Sequence, residues 1–81
     1  MSENEMIDII NGILEDVNED ILSYEGNNMM EDGIVDSFEI ISIVGDLEEA
    51  FNMEIDAEYI EQGYFDSKQG IYKLVGMLLL K

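Results

Sequence analysis

The chain has 81 residues, of which 20 are Asp or Glu and 3 are Lys or Arg, giving a formal net charge of −17. A surface so negative repels a phosphate backbone and an anionic lipid surface, which argues against direct nucleic-acid binding and against electrostatic membrane attachment. At 47% hydrophobic the chain is too apolar for a solvating tail, and with neither Cys nor His it lacks a thiol nucleophile, a disulfide framework, the commonest general base and the commonest zinc ligand.

The length suits one small domain over residues 1–81. Its first apolar-periodic stretch is Met6, Ile7, Ile10, Ile13, Leu14 and Val17, whose steps of three and four place one apolar face on a helix from about residue 3 to 17. Ser2 and Glu5 stand at capping-box spacing, and the acidic first turn suits the helix dipole. From Asn18 to Asp36 the periodicity fails. Gly26-Asn27-Asn28 and Asp32-Gly33 are turn chemistry, and they predict a long loop pinned across the core by Ile21, Leu22, Met29, Met30 and Ile34. The strongest helix follows, from Ser37 to about Phe51. Ile40, Ile41, Ile43, Val44, Leu47 and Phe51 form its apolar side, and Glu39, Asp46, Glu48 and Glu49 line the other beside Ser42 and Gly45. Asn52-Met53 ends it. Ala57 to Gln62 reads as a short helical turn stopped by Gly63, and a last helix begins at Ser67 and carries Ile71, Leu74, Val75, Leu78 and Leu79 inward. The expected fold class is all-α: four helices, three longer and one short, with a long loop between the first and second. The longest apolar run, Val75 to Leu80, is too short to span a bilayer, so no membrane insertion is expected. The acidic start lacks the basic residues of a targeting signal, and a cytoplasmic protein is the expectation.

Asp36-Ser37 lies where the turn-rich segment meets the strongest helix, so two readings of Ser37 compete. As a helix cap, its oxygen would accept from a free backbone N–H. As an attachment point, its hydroxyl would carry a phosphodiester made comfortable by the helix N-terminus. With no His or Cys in the chain to activate it, Ser37 would be an acceptor modified by another enzyme.

Gly33-Ile34-Val35-Asp36-Ser37-Phe38 resembles the phosphopantetheine attachment motif of acyl carrier proteins. Leu47-Glu48-Glu49-Ala50-Phe51 followed by Met53-Glu54-Ile55 is similar to the end of that family's second helix and the link after it, and Gly63-Tyr64-Phe65-Asp66-Ser67 to the phrase that leads into its last helix. The resemblance covers nearly the whole chain in the right order. It implies an antiparallel helical bundle, not itself an enzyme, whose Ser37 receives 4′-phosphopantetheine from coenzyme A through a phosphopantetheinyl transferase, with Asp36 at the motif's acidic position. The arm's thiol would hold an acyl group as a thioester, an imported sulfur in a chain without Cys. Phe38, Glu39, Ser42, Asp46, Glu48 and Glu49 would face acyl-loading and acyl-processing enzymes through basic docking patches, an electrostatic encounter suited to transient complexes. Phe38 stands where Leu is more usual, Ile40 and Ser42 where Thr and Glu are frequent, and Gly45 where an apolar contact residue is common. A Phe after the serine also occurs in D-alanyl carrier proteins, so an aminoacyl cargo stands beside an acyl one.

Two further patterns compete for function. Asp66-Ser67 also precedes a helix, and Ser67 reads as its cap. Residues 28–39 place Asp32, Gly33, Asp36 and Glu39 at positions five, six, nine and twelve of a calcium loop, but Met30 at position three cannot ligate, so no dedicated metal site is expected. A calcium-responsive or purely acidic interaction module is the alternative from another class. A monomer is expected, because no large apolar stripe is evident.

Overall fold

The computed structural model describes residues 1–80. Among them the chain is all-helical, with five helices: α1 (Glu3–Val17), α2 (Asp20–Ser23), α3 (Ser37–Phe51), α4 (Glu58–Glu61) and α5 (Lys68–Leu79). Helix α1 packs against α2, α3 and α5, and so forms the hub of the fold.

The three long helices begin where their caps dictate. Ser2 Oγ accepts the Glu5 N–H at 3.1 Å and its hydroxyl reaches the Glu5 carboxylate, so the Ser2–Glu5 pair closes through side chains instead of forming the full box. Ser67 accepts from the Gly70 N–H, as its cap reading requires. Helix α3 stops because Asn52 takes the left-handed conformation (φ 51°), which lets the Asn52 and Met53 N–H groups both return to the Glu48 carbonyl. Gly63, at φ 89°, turns the chain after α4.

One continuous core holds Met6, Ile10 and Leu14 of α1, Ile40, Ile43, Leu47 and Phe51 of α3, and Ile71, Leu74 and Val75 of α5. Into it the connections send Ile21, Met29, Val35, Ile55 and Phe65. Each of these side chains contributes about 1.5–3 kcal/mol on burial, far more than the helix propensity of the short connecting elements.

Four sequence expectations are corrected. The segment 18–36 is not only loop, since it contains α2, making five helices instead of four. Four residues cannot sustain a helix alone; α2 is held by the complete burial of Ile21 and by Lys68 Nζ, which donates to the Leu22 carbonyl at 2.5 Å from 46 residues away. Ile41 points outward, 63% exposed, because Ile40, Ile43, Leu47 and Phe51 already define the inward direction of α3 and Ile41 lies off it. Leu79, in the last turn of α5, is 41% exposed, beyond the reach of the packed helices. Met30, expected to help pin the turn-rich connection across the core, is exposed; the adjacent Met29 fills that place and is fully buried.

Candidate functional site

The start of α3 is assembled from both ends of the chain. Ile34 and Val35 both donate their N–H groups to the Met29 carbonyl, and the Met29 N–H donates to the Asp66 carbonyl at 2.9 Å. From the other side Asn18 Nδ2 donates to the Ile34 carbonyl at 2.7 Å. Val35 is buried, while Asp36, Ser37 and Phe38 emerge into solvent. The turn before them is braced by Tyr24, whose hydroxyl donates to the Asp32 carboxylate at 2.5 Å and accepts the Asn28 N–H at 2.7 Å. Burial and the Asp32 carboxylate raise the Tyr24 phenol above its ordinary value, so it stays a donor.

Asp36, not Ser37, caps α3. Its carboxylate accepts the Glu39 N–H at 2.9 Å, and the Glu39 carboxylate accepts the Asp36 N–H at 3.2 Å, a complete capping box. Ser37 is therefore the first helical residue, and no hydrogen bond among the described residues uses its hydroxyl. The Glu39 N–H is taken by the cap and the Ile40 N–H by the Asp36 carbonyl, which leaves the Ser37 and Phe38 N–H groups outside the helical ladder. A free hydroxyl and two free N–H groups at the positive end of a fifteen-residue helix are chemically suited to a phosphodiester.

Around Ser37 the outward stripe of α3 consists of Phe38, Ile41, Ser42, Gly45, Asp46 and Glu49, all exposed. Phe38 is 80% exposed and, one turn from Ile41, forms an apolar spot beside the serine with the carboxylates of Asp46 and Glu49 further along. The two other acidic residues expected on this face have different employment. Glu39 is half-buried in the capping box, and the half-buried Glu48 accepts the Ile55 N–H at 2.9 Å, tying α3 to the link that follows it. Ile41 is the residue that sequence reasoning missed. The steps of three and four from Phe38 to Ile41, Gly45 and Glu49 were its signal, masked by the adjacent Ile40.

Residues 28–39 do not gather as a calcium loop. Asn28 Oδ1 accepts the Met30 and Glu31 N–H groups, Asp32 takes the Tyr24 hydroxyl, and Asp36 and Glu39 serve α3. No group of three or more acidic residues placed to hold a metal ion occurs among the described residues. No described helix is long and apolar enough to cross a membrane.

Comparison of the chain with family models, with curated proteins and with solved structures found no match in any of the three.

Proposed function

We propose that this protein is a carrier that tethers acyl groups as thioesters on a 4′-phosphopantetheine arm at Ser37 and presents them to partner enzymes, with no catalytic activity of its own. One observation carries the reading. A serine hydroxyl stands exposed and unbonded at the first residue of α3 because its neighbour Asp36 has taken over the capping role. If Ser37 were itself the cap, its oxygen would be committed to the backbone.

In the loading step the Ser37 hydroxyl oxygen attacks the phosphorus that bears the pantetheine of coenzyme A. A new oxygen–phosphorus bond forms, the phosphorus–oxygen bond to adenosine 3′,5′-bisphosphate breaks, and the hydroxyl proton leaves to a base of the transferase. The arm's thiol then supplies the thioester chemistry. This chain's own contribution is to expose the hydroxyl, to offer the Ser37 and Phe38 N–H groups to the phosphodiester, and to present Phe38, Ile41, Ser42, Asp46 and Glu49 to a partner with an apolar socket rimmed by basic residues. Glu39 and Glu48 act at the edges of that surface through the backbone they hold. In this reading α1, α3, α4 and α5 correspond to the family's antiparallel four-helix bundle, α2 is an added turn in the long connection, and the protein works in the cytoplasm as a monomer.

The experiment is intact mass before and after incubation with coenzyme A, magnesium and a promiscuous phosphopantetheinyl transferase. The wild type gains one phosphopantetheinyl unit and Ser37→Ala gains none. A folded wild type that stays unmodified contradicts the proposal. It would favour a second reading, an acidic interaction module that uses the exposed Phe38–Ile41 spot without any arm.

A further inference from the structure

Asn18 uses every hydrogen-bonding group it has. Its N–H donates to the Leu14 carbonyl at 2.8 Å and closes α1; its carbonyl accepts the Ile21 N–H at 3.1 Å. Its side-chain Oδ1 accepts the Asp20 N–H at 3.0 Å, at the first residue of α2, while Nδ2 crosses 16 residues of sequence to the Ile34 carbonyl at 2.7 Å. Only this orientation of the amide suits both neighbours, since the reverse would set donor against donor and acceptor against acceptor. One half-buried side chain thus joins the end of α1, the start of α2 and the stretch that delivers Ser37.

The task on each side of the amide is different. Accepting the Asp20 N–H needs only an oxygen, which Asp or Ser supplies as well as Asn. Holding Ile34 needs a second, donating group on the same planar head; Asp has no donor, and the one Oγ of Ser, a bond shorter, cannot reach both partners. Ile34 stands three residues before Ser37, and with the Met29 carbonyl binding Ile34 and Val35 from the opposite side, the approach to the serine is clamped between two anchors.

We propose that Asn18 is a positioning residue for the reaction at Ser37: through the Ile34 carbonyl its Nδ2 holds the start of α3 where the hydroxyl meets the transferase. The inference rests on the carrier reading and adds a residue 19 positions away that touches neither arm nor partner. Asn18→Asp keeps the size and the acceptor for the Asp20 N–H and removes the donor. Asn18→Ser keeps an acceptor on a smaller, uncharged side chain whose single hydroxyl cannot serve both partners, and it is the variant to use should the carboxylate unfold the chain. Tyr72→Phe is the control, because it breaks the hydrogen bond from Tyr72 to Asn11 that links α5 and α1 away from this segment.

The measurement is kcat/KM for phosphopantetheinyl transfer, with coenzyme A and magnesium, at a temperature where every variant is folded, together with amide hydrogen exchange. Both Asn18 variants fall about tenfold in kcat/KM, as expected for a reacting group misplaced within an intact fold. Exchange rises at residues 33–36 alone, where N–H groups are hydrogen-bonded in the wild type, and Tyr72→Phe is loaded like the wild type. Asn18 variants loaded at the wild-type rate overturn the inference while leaving the carrier reading intact. So does a Tyr72→Phe slowed equally, which would mean that general destabilisation is responsible. If the folded wild type is not loaded at all, the carrier reading is what fails, and the inference falls with it.

Discussion

Removing the side chain of Asp36 and removing that of Ser37 have opposite expected consequences, although the two residues are adjacent and equally good capping types. Asp36→Ala deletes the acceptor of the Glu39 N–H and leaves the Glu39 carboxylate as half of a broken box. The cost is about 0.5–2 kcal/mol by the range measured for helix caps, typically about 1. Ser37→Ala deletes a hydroxyl without a partner and substitutes a better helix former, so stability moves by no more than about 0.5 kcal/mol and in the favourable direction. Asp36→Asn retains a capping oxygen and stays close to the wild type. Urea unfolding followed by far-ultraviolet circular dichroism reads the differences as midpoints at constant slope. In a thermal melt a domain of this size shifts by about 4–8 °C per kcal/mol, so the Asp36→Ala and Ser37→Ala curves separate clearly. Equal destabilisation by the two alanines would refute the assignment of the cap to Asp36, and with it the argument that the Ser37 hydroxyl is free for chemistry. Coupled with the loading assay, Ser37→Ala thereby becomes a variant that loses function at undiminished stability.

The glycines give an independent test of the helix packing. A Cβ on Gly12 or Gly45 meets open space, so each Gly→Ala change in mid-helix raises stability by about 1 kcal/mol; Gly70→Ala drives a Cβ to 2.4 Å from the Tyr64 carbonyl oxygen and lowers the melting temperature. A Gly70→Ala protein that melts like the wild type would contradict the close approach of Tyr64 to α5. For pH, burial raises the Tyr72 phenol above its ordinary value of 10.0 against the opposing Asn11 hydrogen bond. Since the folded state holds the proton more tightly than the unfolded chain, this contribution is whole below pH 10.0 and is lost as pH climbs through the raised folded value. Tyr72→Phe therefore shows a shallower alkaline loss of stability than the wild type, and parallel curves would contradict it.

The residues that sequence reading identified correctly are those whose partners lie within one or two turns. The apolar steps of α1, the cap at Ser67 three residues before Gly70, and the end of α3 at Asn52 all depend on neighbours a few positions away. Local spacing also brought Asp36 and Glu39 to capping-box distance, but it left open which of Asp36 and Ser37 would cap. Both residues have the required oxygen, and the choice turns on which takes extended backbone, φ −111° and ψ 179° at Asp36. That conformation is set by the anchoring of Ile34 and Val35 to Met29 and by the inward pull of Val35.

By itself, then, the sequence determined the helical class, the three long helices and the serine at the head of the second of them, because hydrophobic period and caps are properties of consecutive residues. Tertiary structure alone decided the rest. Helix α2 exists through Ile21 in the core and Lys68 arriving from α5. Ile41 faces out because α3 has one inward direction and that position misses it, and Leu79 because it lies in the last turn of α5, past the packed helices. Glu48 and Glu39 are drawn from the acidic face by backbone N–H groups that need an acceptor. Each of these outcomes is a competition between distant groups for one buried position or one hydrogen bond, and a linear pattern does not contain the distances that settle it.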